Sequence, residues 1–124
     1  GHITTFGGHP VVASAALANL KETIKLGVMK KIKKKENLIR KLLHHDLIKE
    51  IRGKGLMLAL IMKNKKIAKE LVIKSLDKGL ILFWLLFESK AVRITPSLTI
   101  NEKEIKLGCK VIINTLNEIN NPVD

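Results

Sequence analysis

The opening residues, Gly1-His2-Ile3-Thr4-Thr5-Phe6-Gly7-Gly8-His9-Pro10, combine the groups needed to hold an anion. Thr4 and Thr5 carry hydroxyls, Gly7 and Gly8 permit a tight turn, and Pro10 suits the first position of a helix because its missing N–H would be unpaired there anyway. Backbone N–H groups left free at such a helix start, beside threonine hydroxyls, suit a phosphate. The plain alternative is an ordinary turn leading into a helix.

Other residues invite chemistry less strongly. The run Lys30-Lys31-Ile32-Lys33-Lys34-Lys35 is basic enough to suggest phosphate neutralisation by a nucleic-acid binder. Ile32 interrupts it at core spacing, and no aromatic platform for bases is interleaved, so a solvated helix face is expected. His44 and His45 are adjacent, and neighbouring helix positions point about 100° apart, so the pair makes no joint metal face and is expected at a helix end. Cys109 is expected as a small core residue, and Trp84, among Phe83 and Phe87, as core. His2 flanks the loop with no specified task.

These residues sit in a chain of 124, one domain's worth, of which 46% is apolar, so a packed core rather than a disordered tail is expected. The formal charge is +12 and aromatic residues are scarce. One cysteine excludes an internal disulfide framework and suggests a reducing compartment. The longest unbroken apolar run, Leu80 to Phe87, has eight residues. A membrane-crossing helix needs about 20, and no secretory signal is visible, so a soluble, cytoplasmic protein is expected.

Helices and strands should alternate. Pro10 to about Leu26 reads as a helix stopped by Gly27, its apolar first half suited to burial. Val28 to His45 reads as a second helix, with Val28, Ile32, Ile39, Leu42 and Leu43 at helical spacing. Ile48–Arg52 and Leu56–Met62 read as strands around a bend at Gly53-Lys54-Gly55. Ile67, Leu71, Val72 and Leu76 define a third helix ending at Gly79. Leu80–Phe87 and Ala91–Thr95 read as strands around Glu88-Ser89-Lys90. Asn101 with Glu104 predicts a capping box, and Ile105, Cys109, Ile112, Leu116 and Ile119 the inner stripe of a last helix. Asn120 to Asp124 should fray.

Three blocks in this order resemble the C-terminal third of the class III pyridoxal-phosphate-dependent aminotransferases, a family that includes acetylornithine, ornithine and 4-aminobutyrate aminotransferases. Thr4-Thr5-Phe6-Gly7-Gly8-His9-Pro10 is similar to the family's Thr-aromatic-Gly-Gly-Asn-Pro loop. Ile51-Arg52-Gly53-Lys54-Gly55-Leu56-Met57 is similar to its Arg-Gly-x-Gly-Leu segment, and Val92-Arg93-Ile94-Thr95-Pro96-Ser97-Leu98 to its Arg-x-x-Pro-(Pro/Ser)-Leu stretch.

The resemblance implies an α+β fold, in which residues 1–27 belong to the edge of the large cofactor domain and residues 28–124 form the small C-terminal domain, a short, mostly antiparallel sheet covered by helices. It implies that Thr5, with Thr4 beside it, holds the phosphate of pyridoxal 5'-phosphate, and that Thr5 reaches the other subunit's site in a homodimer. It implies that Arg93 binds a substrate carboxylate, a task its planar bidentate fork suits; the alternative for Arg93 is a surface or salt-bridged residue at a strand end. Arg52, Gly53 and Gly55 read as structural. His9 departs from the family's asparagine.

In this family the Schiff-base lysine, the aspartate at the pyridine nitrogen and the ring-stacking residues lie upstream of the threonine loop. The chain is therefore expected to be a fragment that cannot carry out transamination alone. Two other classes remain open on the sequence: a basic nucleic-acid-binding domain, which would explain the charge, and a non-catalytic interaction module derived from the small domain.

Overall fold

A computed structural model describes residues 3–121. His2 and the last three residues, part of the tail expected to fray, lie outside the described residues. The chain divides into two compact units, one up to Lys31 and one from Ile32 onward.

The first unit holds helix α1 (Pro10–Lys25), capped at its end by Leu26. Val28–Lys31 then form a 3-10 turn, so the helix expected from Val28 begins only at Ile32. The expectation that α1 starts in a buried environment is corrected: no residue of α1 is buried, and Val11, Leu17, Leu20 and Ile24 are among the exposed apolar side chains.

The second unit runs α2 (Ile32–Leu42), β1 (Ile48–Lys54), β2 (Met57–Met62), α3 (Lys65–Asp77), β3 (Phe83–Trp84), β4 (Ala91–Ile94) and α4 (Glu102–Asn120). The strands form one antiparallel sheet in the order β1-β2-β4-β3. Strand alternation sorts the side chains. Leu58, Leu60 and Met62 of β2 and Val92 and Ile94 of β4 join one apolar cluster with Ile39 of α2, Leu71 of α3, and Ile105, Ile112 and Leu116 of α4. On the other face, pairing sets Arg52, Ala59, Arg93 and Phe83 in one row across the four strands.

The β1–β2 hairpin depends on Gly53. Its φ is 105°, and a Cβ there would stand 2.1 Å from the Met57 carbonyl oxygen. Glycine alone fits so close a backbone approach. The turn is accordingly tighter than the bend expected over residues 53–55, because β1 continues through Lys54.

α4 is built as its pattern requires. The Asn101 side chain accepts from the Glu104 N–H at 3.0 Å, and Glu104 accepts from the Asn101 N–H at 2.8 Å. Ile105, Cys109, Ile112 and Leu116 are buried. The apolar run Leu80–Phe87, in contrast, yields only the two-residue strand β3. Trp84 is exposed, correcting its expected place in the core, and Phe87 near it is exposed too. β3 lies at the sheet edge, where one side has no strand to order it. In α3, Leu76 is exposed, and Ala68 and Ser75 are buried instead.

Candidate functional site

The glycine block forms a turn over residues 5–8 directly before α1. The Gly7 N–H donates to the Thr4 carbonyl at 3.4 Å and the His9 N–H to the Phe6 carbonyl at 3.1 Å. Gly8 takes a φ of 77°, which reverses the chain. A Cβ on Gly7 would stand 2.8 Å from Thr4 Cγ2, so the turn needs a small residue where Thr4 folds over it. Thr4 and Thr5 are both exposed.

The start of α1 is left open. Its first backbone bond runs from the Ala13 N–H to the His9 carbonyl, and no side chain caps this end. Pro10 has no N–H to satisfy, and the Val11 and Val12 amides lie in the first turn, where no intrahelical acceptor exists. His9 does not supply the cap that an asparagine could at this position. Uncapped amides at the positive end of a helix dipole, in a segment that also carries exposed hydroxyls, fit a phosphate group. Thr4 and Thr5 thus lie at the start of the turn that leads into α1.

Arg93 lies in the second unit. It is exposed on β4, with Ala59 and Phe83 as strand partners, and its Cζ stands 5.0 Å from the centroid of the Phe83 ring. No described carboxylate forms an ion pair with it. A guanidinium that rests on an aromatic face and keeps its N–H fork unpaired can receive a carboxylate from outside the unit.

The segments that position Arg93 are held by charges that sequence reasoning did not single out. Arg40 of α2 donates to Glu36 at 3.0 Å and to the carbonyls of Ile51 and Gly53 at 2.7 and 2.8 Å, which ties α2 to the hairpin. The Arg40 hydrogen bond is the main cause holding the buried Glu36 carboxyl below its ordinary range, with burial opposing it and Gly55 and Lys33 assisting. The i,i+4 spacing of Glu36 and Arg40 was the available signal. Lys35 is buried and donates to the Leu98 carbonyl at 2.6 Å, and Lys34 pairs with Glu102 at 2.6 Å. Lys35 thus grips the loop that follows β4, and Lys34 the first residue of α4. Part of the lysine run is therefore structural rather than a purely solvated face.

The remaining candidates have structural roles or none. His44 and His45 lie past the end of α2; His45 Nδ1 accepts from the Leu47 N–H at 3.0 Å, and its Nε2 lies 3.1 Å from Asn117 Oδ1. Arg52 pairs with Glu50 at 2.6 Å. Cys109 is buried, and burial pushes its thiol up to about 11. No group of three or more potential metal ligands occurs among the described residues, and no described helix is long and apolar enough to cross a membrane.

Residues 1–116 match the aminotransferase class-III family. The chain is 35% identical over 123 residues to an acetylornithine aminotransferase of Caldanaerobacter subterraneus, covering 95% of this chain and 30% of that protein. It is 29% identical over 121 residues to an ornithine aminotransferase of Plasmodium yoelii yoelii, covering 93% of this chain and 29% of that one. Among solved structures it is similar to the acetylornithine aminotransferase of Elizabethkingia anophelis, with a TM-score of 0.84 and 28% identity, over 95% of this chain and 32% of that one. The chain thus spans about 30% of the length of these relatives.

Proposed function

The chain belongs to the class-III aminotransferase family, and on that premise we propose that it supplies the C-terminal part of an enzyme that moves an amino group from an amine or amino acid to a 2-oxo acid with pyridoxal phosphate. The observation that carries this reading is the family match over residues 1–116, which contains both the threonine loop and Arg93. In the same reading residues 1–27 complete the edge of the cofactor domain and residues 28–124 are the small domain. The active protein is a cytoplasmic homodimer whose Thr5 serves the partner subunit's site.

When bound, the cofactor supplies the electron sink for the carbanion chemistry. This chain's residues bind and orient. The Thr5 hydroxyl donates to the phosphate, with Thr4 and the uncapped amides of α1 adding donors and the helix dipole. Arg93 holds a substrate carboxylate in a fixed plane through its two-pronged fork. The exposed apolar surface of α1 fits a helix finished by the large domain, since a helix apolar on most sides belongs in a larger core. The lysine that bonds the cofactor lies outside this sequence in the proposal, so the 124 residues alone are expected to be inactive.

The test is Thr5→Val in the longer enzyme, which keeps the shape of the side chain and removes the donor. One hydrogen bond to a charged group contributes about 1.5–3 kcal/mol. Pyridoxal phosphate should therefore bind roughly 10- to 150-fold more weakly, with the rate of the loaded enzyme little changed. An unchanged dissociation constant removes Thr5 from the site.

A further inference from the structure

Helices α2 and α4 lie side by side and run in the same direction. Lys34 pairs with Glu102 at their starts, and His45 Nε2, just past the end of α2, lies 3.1 Å from Asn117 Oδ1 of α4. Between these points Leu42 of α2 and Lys106, Lys110 and Ile113 of α4 border one shallow groove. Each helical residue turns the chain by about 100°, which fixes what the flanks beside this groove carry. On α2 they carry Lys34 and Lys41, and on α4 Lys103, Lys106 and Lys110, all exposed. Leu38, Leu42 and Ile113 lie between the two rows and pack on the core. Glu102 is the one carboxylate on these flanks, and it is committed to Lys34 at 2.6 Å. The Lys34 hydrogen bond and charge hold its carboxyl below the ordinary range, with the Lys106 charge assisting. Lys41, Lys103, Lys106 and Lys110 have no ion-pair partner among the described residues. The basic run of the sequence is therefore not itself the surface, since Lys33 pairs with Glu36 and Lys35 is buried on the Leu98 carbonyl.

Packed helix axes lie about 8–10 Å apart, and seven residues advance about 10 Å along each. Ammonium groups on flexible four-carbon stems in two such rows can reach both phosphate ridges that border one groove of a duplex, about 6–12 Å wide. Neither helix carries an aromatic residue on which an unpaired base could stack. Leu107 is the one large apolar side chain exposed on either helix, too little to enter a bilayer. We propose that the α2–α4 face binds a nucleic-acid duplex through its phosphate backbone, without reading its sequence. This does not depend on the aminotransferase reading, because none of the five lysines belongs to the threonine loop or to β4.

The test titrates a fluorescent DNA duplex of about one and a half helical turns with the 124-residue chain and follows anisotropy over a range of salt concentrations. Four unpaired lysines on phosphates predict a slope of log affinity against log salt of about −3 to −4, and so roughly a 100-fold loss between about 50 and 200 mM salt. Lys106→Gln with Lys110→Gln should make that slope shallower by about 2. Lys65→Gln with Lys69→Gln removes the same charge at the same spacing from α3, where both lysines are exposed, and should leave the slope within about 0.5 of the original. Lys106→Arg with Lys110→Arg keeps the charge and should bind as the original does. Amide NMR shifts of the unaltered chain, which need no variant, should concentrate on α2 and α4 when the duplex is added. Equal losses in the two glutamine pairs, or shifts spread over every lysine-bearing element, mean that net charge alone attracts the duplex and overturn the site. Failure of the arginine pair to bind, or no binding at about 50 mM salt, overturns it as well. Tighter binding of a single strand of the same length, or of vesicles of phosphatidylcholine and phosphatidylserine, overturns the choice of a duplex.

Discussion

Replacing Arg93 by lysine separates a receptor for a carboxylate from a structural arginine. In the folded unit Arg93 is exposed, and the Phe83 ring at 5.0 Å is its described side-chain contact. A cation–π contact at an exposed site contributes about 0.5–1 kcal/mol, and lysine keeps the charge. Arg93→Lys should therefore lower stability by less than about 1 kcal/mol, a fall of a few degrees in Tm for a domain of this size. Lysine cannot reproduce the bidentate fork, so the longer enzyme should lose roughly 10- to 1000-fold in kcat/KM, equivalent to about 1.4–4 kcal/mol of transition-state stabilisation. The loss should be confined to substrates bearing the carboxylate that Arg93 reads, with cofactor affinity unchanged. The assay is single-turnover kinetics of both half-reactions beside thermal unfolding of the same variant. Near-normal kinetics in both half-reactions, with a fall in Tm well beyond a few degrees, would refute the reasoning.

Two further outcomes follow from the packing. Gly53→Ala should destabilise the second unit by about 2 kcal/mol or more, because it combines a positive φ with a Cβ placed 2.1 Å from the Met57 oxygen; denaturant unfolding measures it, and a loss below about 0.5 kcal/mol would show that the hairpin relaxes freely. Cys109 should resist alkylation in the native chain at about pH 8 and react rapidly in denaturant, because its thiol is buried and raised to about 11. The raised value means that the folded state holds its proton where the unfolded thiol has lost it. The stabilisation is present at neutral pH and falls as pH rises from about 9 to 11, a trend that Cys109→Ala should remove.

The parts of the fold legible in the sequence were those with local signals. The capping box at Asn101 and Glu104 and the stripe through Cys109 and Leu116 depend on spacing within one helix, and both are present. The glycine turn before Pro10 was legible for the same reason. Hydrophobic patterning misplaced Trp84 and the start of α1, because apolar composition does not say which body covers a residue. Lys35 was unreadable because its partner is the Leu98 carbonyl, 63 positions along the chain. Arg40 binds two carbonyls of β1 that only the tertiary fold brings near. The phosphate role of Thr5 and the carboxylate role of Arg93 came from resemblance; the geometry adds an open helix start for one and an unpaired guanidinium for the other.

The most direct measurement of the central claim is amino transfer to a 2-oxo acid, followed side by side for the 124-residue chain and for a longer enzyme that joins it to the upstream portion the family requires, each with and without added pyridoxal phosphate. Turnover that depends on the cofactor is expected in the longer protein and none in the 124 residues alone. Turnover by the short chain with cofactor fixed to one of its own lysines, or a longer protein that binds the cofactor yet moves no amino group, would contradict it.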